Sequence, residues 1–184
     1  MKKNNHNRIS GQARLRFLSI AVTLLLSTSL MADNIISSGT TLRVSSGTTL
    51  VSASPLIIQS GATVNNQGTL VLTGNLTSLS PSAIGLGTGT TAFSGTAAQS
   101  VNGQITFGNL TLNNAAGINL NANATVNGVL TFTSGRLTLG SNNLTLGTAA
   151  TVAGAPSASS MIVATGSGQV RKSFSAAGSF TFPV

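Results

Sequence analysis

Side chains able to perform acid–base, nucleophilic or metal chemistry are scarce beyond residue 32. Asp33 is the one carboxylate of the whole chain, and the segment that follows contains no His, Cys, Tyr or Trp. The cations of this segment are Arg43, Arg136, Arg171 and Lys172. Glycoside hydrolysis usually takes two carboxylates, and a Ser or Thr nucleophile needs a neighbouring base. We therefore predict that this segment is not an enzyme and has no catalytic residues.

The remaining side chains are equally poor candidates for a Ser–Lys pair, a metal site or a nucleic-acid-binding surface. Lys172 is next to Ser173, and only this lysine could serve as the base of a Ser–Lys pair. Calcium and other hard cations prefer charged oxygen ligands, which one carboxylate cannot supply. Seven Phe without Tyr, Trp or a basic groove form no stacking platform for single-stranded nucleic acid. We predict no metal-binding or cofactor-binding residues, no cofactor and no nucleic-acid partner.

The strong positive charge belongs mainly to the N-terminal segment. The formal net charge is +8, but five of the nine Lys and Arg residues precede an apolar run at 17–26 (FLSIAVTLLL). Small residues follow at 27–29, and Ala32 suits the last position before a cleavage site. Basic, apolar and then small residues are the order of a secretory signal peptide. We assign residues 1–32 to such a signal.

The predicted export bears on two properties of the chain, its attachment to a membrane and its stability outside the cell. The apolar stretch is shorter than the roughly 20 residues of a spanning helix, although an uncleaved anchor remains the alternative. We expect a secreted or outer-surface protein without a transmembrane anchor after cleavage. The chain has no cysteine, so no disulfide framework can stabilise it outside the cell. Stability must come from packing and backbone pairing.

Beyond residue 35, short apolar–polar alternations separated by Gly, Asn and Ser predict half-buried strands, and no stretch has helical periodicity. The side chains expected to point inward are Leu110, Leu112, Leu130, Phe132, Leu137, Leu139, Leu144 and Leu146. Those expected to point outward are Thr111, Thr131, Thr138 and Thr145. The predicted class is all-β.

Internal repeats indicate how these strands are arranged. A Val-x-Gly step recurs at Val101, Val126 and Val152, which are 25 and 26 residues apart. Leucines also recur every seven residues, at 130, 137 and 144. Three short strands and their turns then form one rung of a stacked repeat. We predict a parallel β-helix, or β-solenoid, with roughly 25-residue rungs over residues 33–152.

An antiparallel β-sandwich is the competing fold. Asn102-Gly103 and Asn127-Gly128 stand between apolar alternations, and Asn-Gly is a strong signal for a hairpin turn. The solenoid is favoured because these pairs recur at the repeat period.

The last part of the chain departs from the repeat. We assign residues 153–184 to a connection, exposed at 153–160 (AGAPSASS), and to the start of a further β element from residue 161. Because the alternating run Ser179–Val184 has no polar cap after it, we expect a truncated piece of a longer protein. Such an uncapped end should self-associate.

Asparagines beside the predicted strands suit turns and amide ladders between stacked rungs, with a carbohydrate-binding face as the alternative. They are Asn109, Asn113, Asn114, Asn119, Asn121, Asn123, Asn142 and Asn143.

Several short motifs in residues 93–147 carry a family resemblance. They are Phe93-Ser94-Gly95, Gln99-Ser100-Val101-Asn102-Gly103, Phe107-Gly108-Asn109-Leu110-Thr111-Leu112-Asn113-Asn114 and Gly128-Val129-Leu130-Thr131-Phe132-Thr133-Ser134-Gly135-Arg136-Leu137. This region resembles the repeat region of large secreted surface proteins of Bacteroidota, commonly exported by the type IX system. Residues 168–174 and 180–184 are similar to the segment that closes that module. The resemblance implies an adhesin-like, non-catalytic region, and it carries over no site residues.

Taken together, these features predict a secreted or cell-surface structural and adhesive β-solenoid module. Surface glycans and other cell-surface proteins are its candidate partners. The alternative is the non-catalytic portion of a larger exported polysaccharide-processing enzyme.

Overall fold

A computed structural model of the protein describes residues 32–184. Nearly all of the predicted signal peptide, residues 1–32, lies outside the described residues. From residue 32 onward the chain forms strands, turns and bends without any helix, so the predicted all-β class is confirmed.

Within the described residues the chain forms twenty short strands. In chain order they are β1 (Asn34–Ile36), β2 (Thr41–Val44), β3 (Thr49–Ser52), β4 (Leu56–Ile58), β5 (Thr63–Asn66), β6 (Thr69–Leu72), β7 (Leu76–Ser78), β8 (Ile84–Gly85), β9 (Thr90–Phe93), β10 (Gln99–Asn102), β11 (Ile105–Phe107), β12 (Asn109–Asn113), β13 (Ile118–Leu120), β14 (Ala124–Val126), β15 (Val129–Ser134), β16 (Leu137–Thr138), β17 (Leu144–Leu146), β18 (Thr151–Gly154), β19 (Ile162–Val163) and β20 (Val170–Lys172).

Strands three places apart in the chain stack on each other, and every ladder between the twenty strands is parallel. The first face holds β1, β4, β7, β10, β13, β16 and β19, and the third holds β3, β6, β9, β12, β15 and β18. The second face holds the remaining strands and is interrupted between β5 and β8, where a single parallel bridge joins Asn66 to Gly87. The described residues form a β-solenoid of six complete turns and part of a seventh. The fold prediction is confirmed, and parallel pairing excludes the sandwich.

The seven-residue leucine spacing follows one turn around its three faces. Leu130, Leu137 and Leu144 lie in β15, β16 and β17, on the third, first and second faces. All three side chains are completely buried. Because each strand is followed by a short corner, the inward position returns after about seven residues.

The turn is shorter than the predicted 25 residues. Leu110 pairs with Leu130 and Thr125 pairs with Thr145, so stacked residues are about 20 positions apart. Val101, Val126 and Val152 lie on the first, second and third faces, in β10, β14 and β18. Each 25-residue step therefore covers one turn and one further face. The three faces require the same strand-and-corner pattern, so a motif can recur without stacking on itself.

Two turns are longer because their corners carry extra residues. Leu76 pairs with Val101 across the corners at 79–83 and 94–98, and Leu137 pairs with Ile162 across residues 155–161. The second insertion is largely exposed, but Ala153 and Gly154, which were predicted to belong to this connection, are part of β18.

The strands beyond this connection stack on the same solenoid. β19 pairs with β16 and β20 pairs with β17, so they extend the first and second faces. The segment predicted to start a further β element is therefore part of the seventh turn, up to Lys172. Residues 173–184 contain no strand.

The core is a single narrow column enclosed by the three faces. Its side chains are mainly Leu, Ile and Val, and nearly all are less than a few per cent exposed. Phe93 and Phe107 meet edge to face in its middle, with ring centroids 6.3 Å apart. Burying each such side chain contributes about 1.5–3 kcal/mol before the loss of chain entropy.

Candidate interaction surfaces

The charged side chains of the described segment are distributed over several turns. Asp33 precedes β1, and Arg43 is exposed on β2 in the first turn. Arg136 lies at the corner before β16, where its Nε and Nη2 donate hydrogen bonds of 2.9 and 2.7 Å to the carbonyl oxygen of Ala158. Arg136 thereby holds the inserted connection against the solenoid.

Lys172 serves a comparable structural purpose at the last turn. Its Nζ donates hydrogen bonds of 2.5 and 2.9 Å to the carbonyl oxygens of Gly147 and Thr148. The same atom lies 5.7 and 5.5 Å from the ring centroids of Phe174 and Phe180. These contacts hold the Lys172 side chain between the corner that follows β17 and the aromatic residues beyond β20.

Nowhere between residues 32 and 184 do three or more His, Cys, Asp or Glu side chains gather as metal ligands would.

Asparagine amides connect successive turns at the corners. The Nδ2 of Asn121 donates to the Oδ1 of Asn102 at 2.8 Å, and the Nδ2 of Asn102 donates to the Thr77 hydroxyl at 3.1 Å. At the same corner, the Oδ1 of Asn123 accepts from the backbone N–H of Asn143 on the following turn at 2.8 Å. The amide groups therefore satisfy neighbouring turns, as the ladder interpretation predicts.

The sequence analysis did not identify a buried amide pair beside the 94–98 insertion. Gln99 and Asn114 are 1% and 0% exposed. The Oε1 of Gln99 accepts from the backbone N–H of Gly95 at 2.9 Å, and its Nε2 donates to the carbonyl oxygen of Leu72 at 3.0 Å. The burial of Gln99 could have been predicted from the alternation Gln99-Ser100-Val101, because it puts Gln99 on the same side of the strand as the inward Val101.

The third face contains the two longest strands of the described residues, β12 and β15. Its six strands pair in register apart from a bulge after Leu112, and their outward side chains form two columns in which successive residues lie about 4.8 Å apart. One column is Thr49, Thr69, Thr90, Asn109, Val129 and Thr151, and the other is Val51, Val71, Ala92, Thr111, Thr131 and Ala153. None of these side chains is charged. The surface presents methyl, hydroxyl and amide groups only.

The two ends of the solenoid are apolar. Seven large apolar side chains of residues 32–184 are exposed, and six of them lie in the first turn or after β20: Ile35, Leu50, Val51, Phe174, Phe182 and Val184. In the first turn they surround a hollow of about 270 Å³ that reaches Leu56 and Leu70. At the other end, Phe180 and Phe182 lie across a cleft of about 740 Å³ from Val152 and Met161.

The chain matches no protein-family model, no curated protein and no solved structure. The described part of the chain offers no helical segment with the length and hydropathy that crossing a bilayer would require.

Proposed function

We propose that this protein is a secreted or outer-surface structural module that presents an uncharged contact face and performs no catalysis. The observation that carries the proposal is the third face, with its twelve uncharged outward side chains in two straight columns. Backbone ladders along all three sides of the solenoid make a stiff support, because each turn is bonded to the turns above and below.

The location outside the cell rests on the N-terminal residues. Five cations, an apolar run and small residues occur in the order of a secretory signal within residues 1–32. The likeness to repeat regions of type IX-exported Bacteroidota proteins supports the same location.

The contact partners in this proposal are surface glycans or other cell-surface proteins. A neutral face of hydroxyl and methyl groups binds through many small contacts rather than through ion pairs. Binding should therefore change little between low and high salt, since screening acts on charges.

The experiment measures binding of the full chain to immobilised glycans and to whole cells. Thr111→Asp and Thr131→Asp put charge at the centre of the third face, where the two residues are paired. Thr106→Asp and Thr125→Asp are the matched controls, because they are a paired, half-buried couple on the second face.

Third-face variants should lose binding at least about tenfold, while the second-face variants should bind like the parent. Equal losses in both pairs would place the contact elsewhere. Absence of binding to every surface would remove the adhesive part of the proposal.

A further inference from the structure

A recess lies beside the first face, where three successive corners lead into that face from the third face. These corners are residues 114–117, 135–136 and 155–161, so they are four, two and seven residues long. The shortest corner therefore lies between two longer ones. The recess is an open hollow of about 300 Å³, lined by residues 115–117, Asn119, Arg136, Thr138 and Ser159. This volume is at the lower end of the range for small-ligand sites.

Arg136 supplies the positive charge of this hollow. Its Nε and Nη2 both donate to the carbonyl oxygen of Ala158, and these two bonds fix the plane of the guanidinium. Nη1 and the second N–H of Nη2 have no partner among residues 32–184. A guanidinium typically holds a carboxylate with two parallel N–H groups. The remaining N–H groups of Arg136 are therefore available to an anion.

No carboxylate side chain of the described segment neutralises this cation. Asp33 is the only carboxylate side chain of the chain, and it precedes β1. In the first face, β1 is five strands away from β16, which is roughly 24 Å at 4.8 Å per strand. This separation is about three Debye lengths at physiological salt. The hollow is therefore a positively charged site.

The other groups that line the hollow are small and neutral. Asn119 and Thr138 are paired outward residues of β13 and β16. Neither side chain makes a hydrogen bond within residues 32–184, whereas the amides of Asn102 and Asn121 bond to neighbouring turns. An amide and a hydroxyl about 4.8 Å apart, next to a guanidinium, suit a ligand that carries hydroxyl groups beside a carboxylate.

We propose that this hollow binds a carboxylated sugar residue of an acidic surface glycan, with Arg136 on the carboxylate and with Asn119 and Thr138 on sugar hydroxyls. One cation suits a carboxylate better than a phosphate, which carries close to two charges at neutral pH. The lining contains no aromatic or large apolar side chain that would hold a hydrophobic ligand. The supply of such a glycan rests on the proposed location outside the cell, but the site itself does not involve the third face.

The test titrates the full chain with oligogalacturonate and with its methyl-esterified form, by isothermal calorimetry. These probes differ only at the carboxyl group. Oligogalacturonate should bind at least about tenfold more tightly than the ester, and its affinity should fall as the salt concentration rises. Acetate and inorganic phosphate test for an anion without a sugar, and both should bind at least about tenfold more weakly than oligogalacturonate.

Arg136→Gln removes the charge of the hollow, and Arg171→Gln is its matched control because Arg171 is exposed on the second face. Asn119→Asp adds a negative charge to the hollow and leaves the contact with Ala158 intact. It therefore tests the site even if Arg136→Gln loosens the inserted connection. Both hollow variants should weaken oligogalacturonate binding at least about tenfold, whereas Arg171→Gln should bind like the parent.

Three outcomes would overturn the proposal. Equal affinity for the acid and the ester would remove the role of the carboxylate. Equal losses in Arg136→Gln and Arg171→Gln would indicate attraction by net charge alone. Acetate or phosphate binding as tightly as oligogalacturonate would indicate an anion site without sugar recognition.

The third-face variants separate this inference from the proposed function. If Thr111→Asp and Thr131→Asp abolished oligogalacturonate binding while the hollow variants kept it, the inference would be wrong and the third-face contact would stand. Loss of binding in the hollow variants alone would support the hollow, whether or not the third face has a partner of its own.

Discussion

The Nδ2 of Asn114 donates a hydrogen bond of 2.9 Å to the Oε1 of Gln99, and neither side chain reaches solvent. Asn114 also donates to the carbonyl oxygen of Ala97 at 2.7 Å, while its Oδ1 accepts from the N–H of Ala116 at 2.9 Å. The pair thereby satisfies the backbone of the 94–98 insertion, which would otherwise leave buried polar groups without partners. Two amides allow the solenoid to accommodate a longer corner without losing its core.

Replacing Gln99 tests the importance of this network. Gln99→Leu should destabilise the fold by about 2–4 kcal/mol, because Asn114 and the backbone of Gly95 lose a buried partner. Urea unfolding followed by circular dichroism measures the change in unfolding free energy. Ser100→Ala, at the neighbouring outward position, should change it by less than about 0.5 kcal/mol. A similar small effect for Gln99→Leu would show that the network is dispensable.

The inward and outward positions of β15 can be compared directly. Leu130 is fully buried, and Thr131 is the next residue on the outward side. Leu130→Asp should unfold the chain or destabilise it by about 4 kcal/mol or more, because it leaves a buried charge without a partner. Thr131→Asp should retain the β-type circular dichroism spectrum and a cooperative transition. Similar behaviour of the two variants would contradict the strand orientation.

Cysteine pairs can distinguish a 20-residue turn from a 25-residue turn, since the chain has no native cysteine. Thr125 and Thr145 are paired on adjacent turns of the second face. Neighbouring strands lie about 4.8 Å apart, which is within the Cα separation of a disulfide. Thr125→Cys with Thr145→Cys should therefore oxidise to an intramolecular disulfide, detected by mass and by reduced gel mobility.

The control pair has a spacing of 25 residues. Thr106→Cys and Thr131→Cys lie in β11 and β15, on the second and third faces. Their side chains project from different sides of the solenoid, so they should remain as free thiols. Preferential oxidation of this pair would support the 25-residue rung instead of the 20-residue turn.

Gly135 lies at a corner where both the backbone conformation and the lack of space for a Cβ require glycine. Its φ is +84°, and a Cβ there would overlap the carbonyl oxygen of Asn114 on the preceding turn. Gly140 also has a positive φ, +56°, but a Cβ there meets open space. Gly140→Ala should cost about 1–2 kcal/mol from backbone strain alone. Gly135→Ala should cost more, about 3 kcal/mol or above, measured in the same denaturant series. Equal losses of unfolding free energy in the two variants would contradict the close packing of Gly135 against Asn114.

Processing of the N-terminus is a separate prediction from residues 1–32. Export through a secretory signal should remove about the first 30 residues. The intact mass of protein recovered from the envelope or medium checks this. A mass that retains Met1 to Ser29 would contradict both the signal assignment and the proposed location.

Local residue patterns determined the type of structure. Apolar–polar alternation separates Leu130 from Thr131 because neighbouring strand side chains point to opposite sides. The seven-residue recurrence of Leu130, Leu137 and Leu144 predicts three strands per turn. The scarcity of ionisable side chains beyond residue 32 is the basis of the prediction that this segment performs no acid–base chemistry, and it needs no reference to the fold.

Only the tertiary structure decided which strands stack on one another. Stacking depends on the summed length of three corners, and the 94–98 and 155–161 insertions change that sum without changing the local alternation. The Val101–Val126 spacing suggested a 25-residue rung because the three faces share one strand-and-corner pattern, whereas Val126 in fact pairs with Phe107 and Leu146. The burial of Gln99 with Asn114, and the stacking of residues 162–172 on earlier turns, likewise depend on contacts between distant residues. These contacts form only when each turn closes, so no short window of sequence contains them.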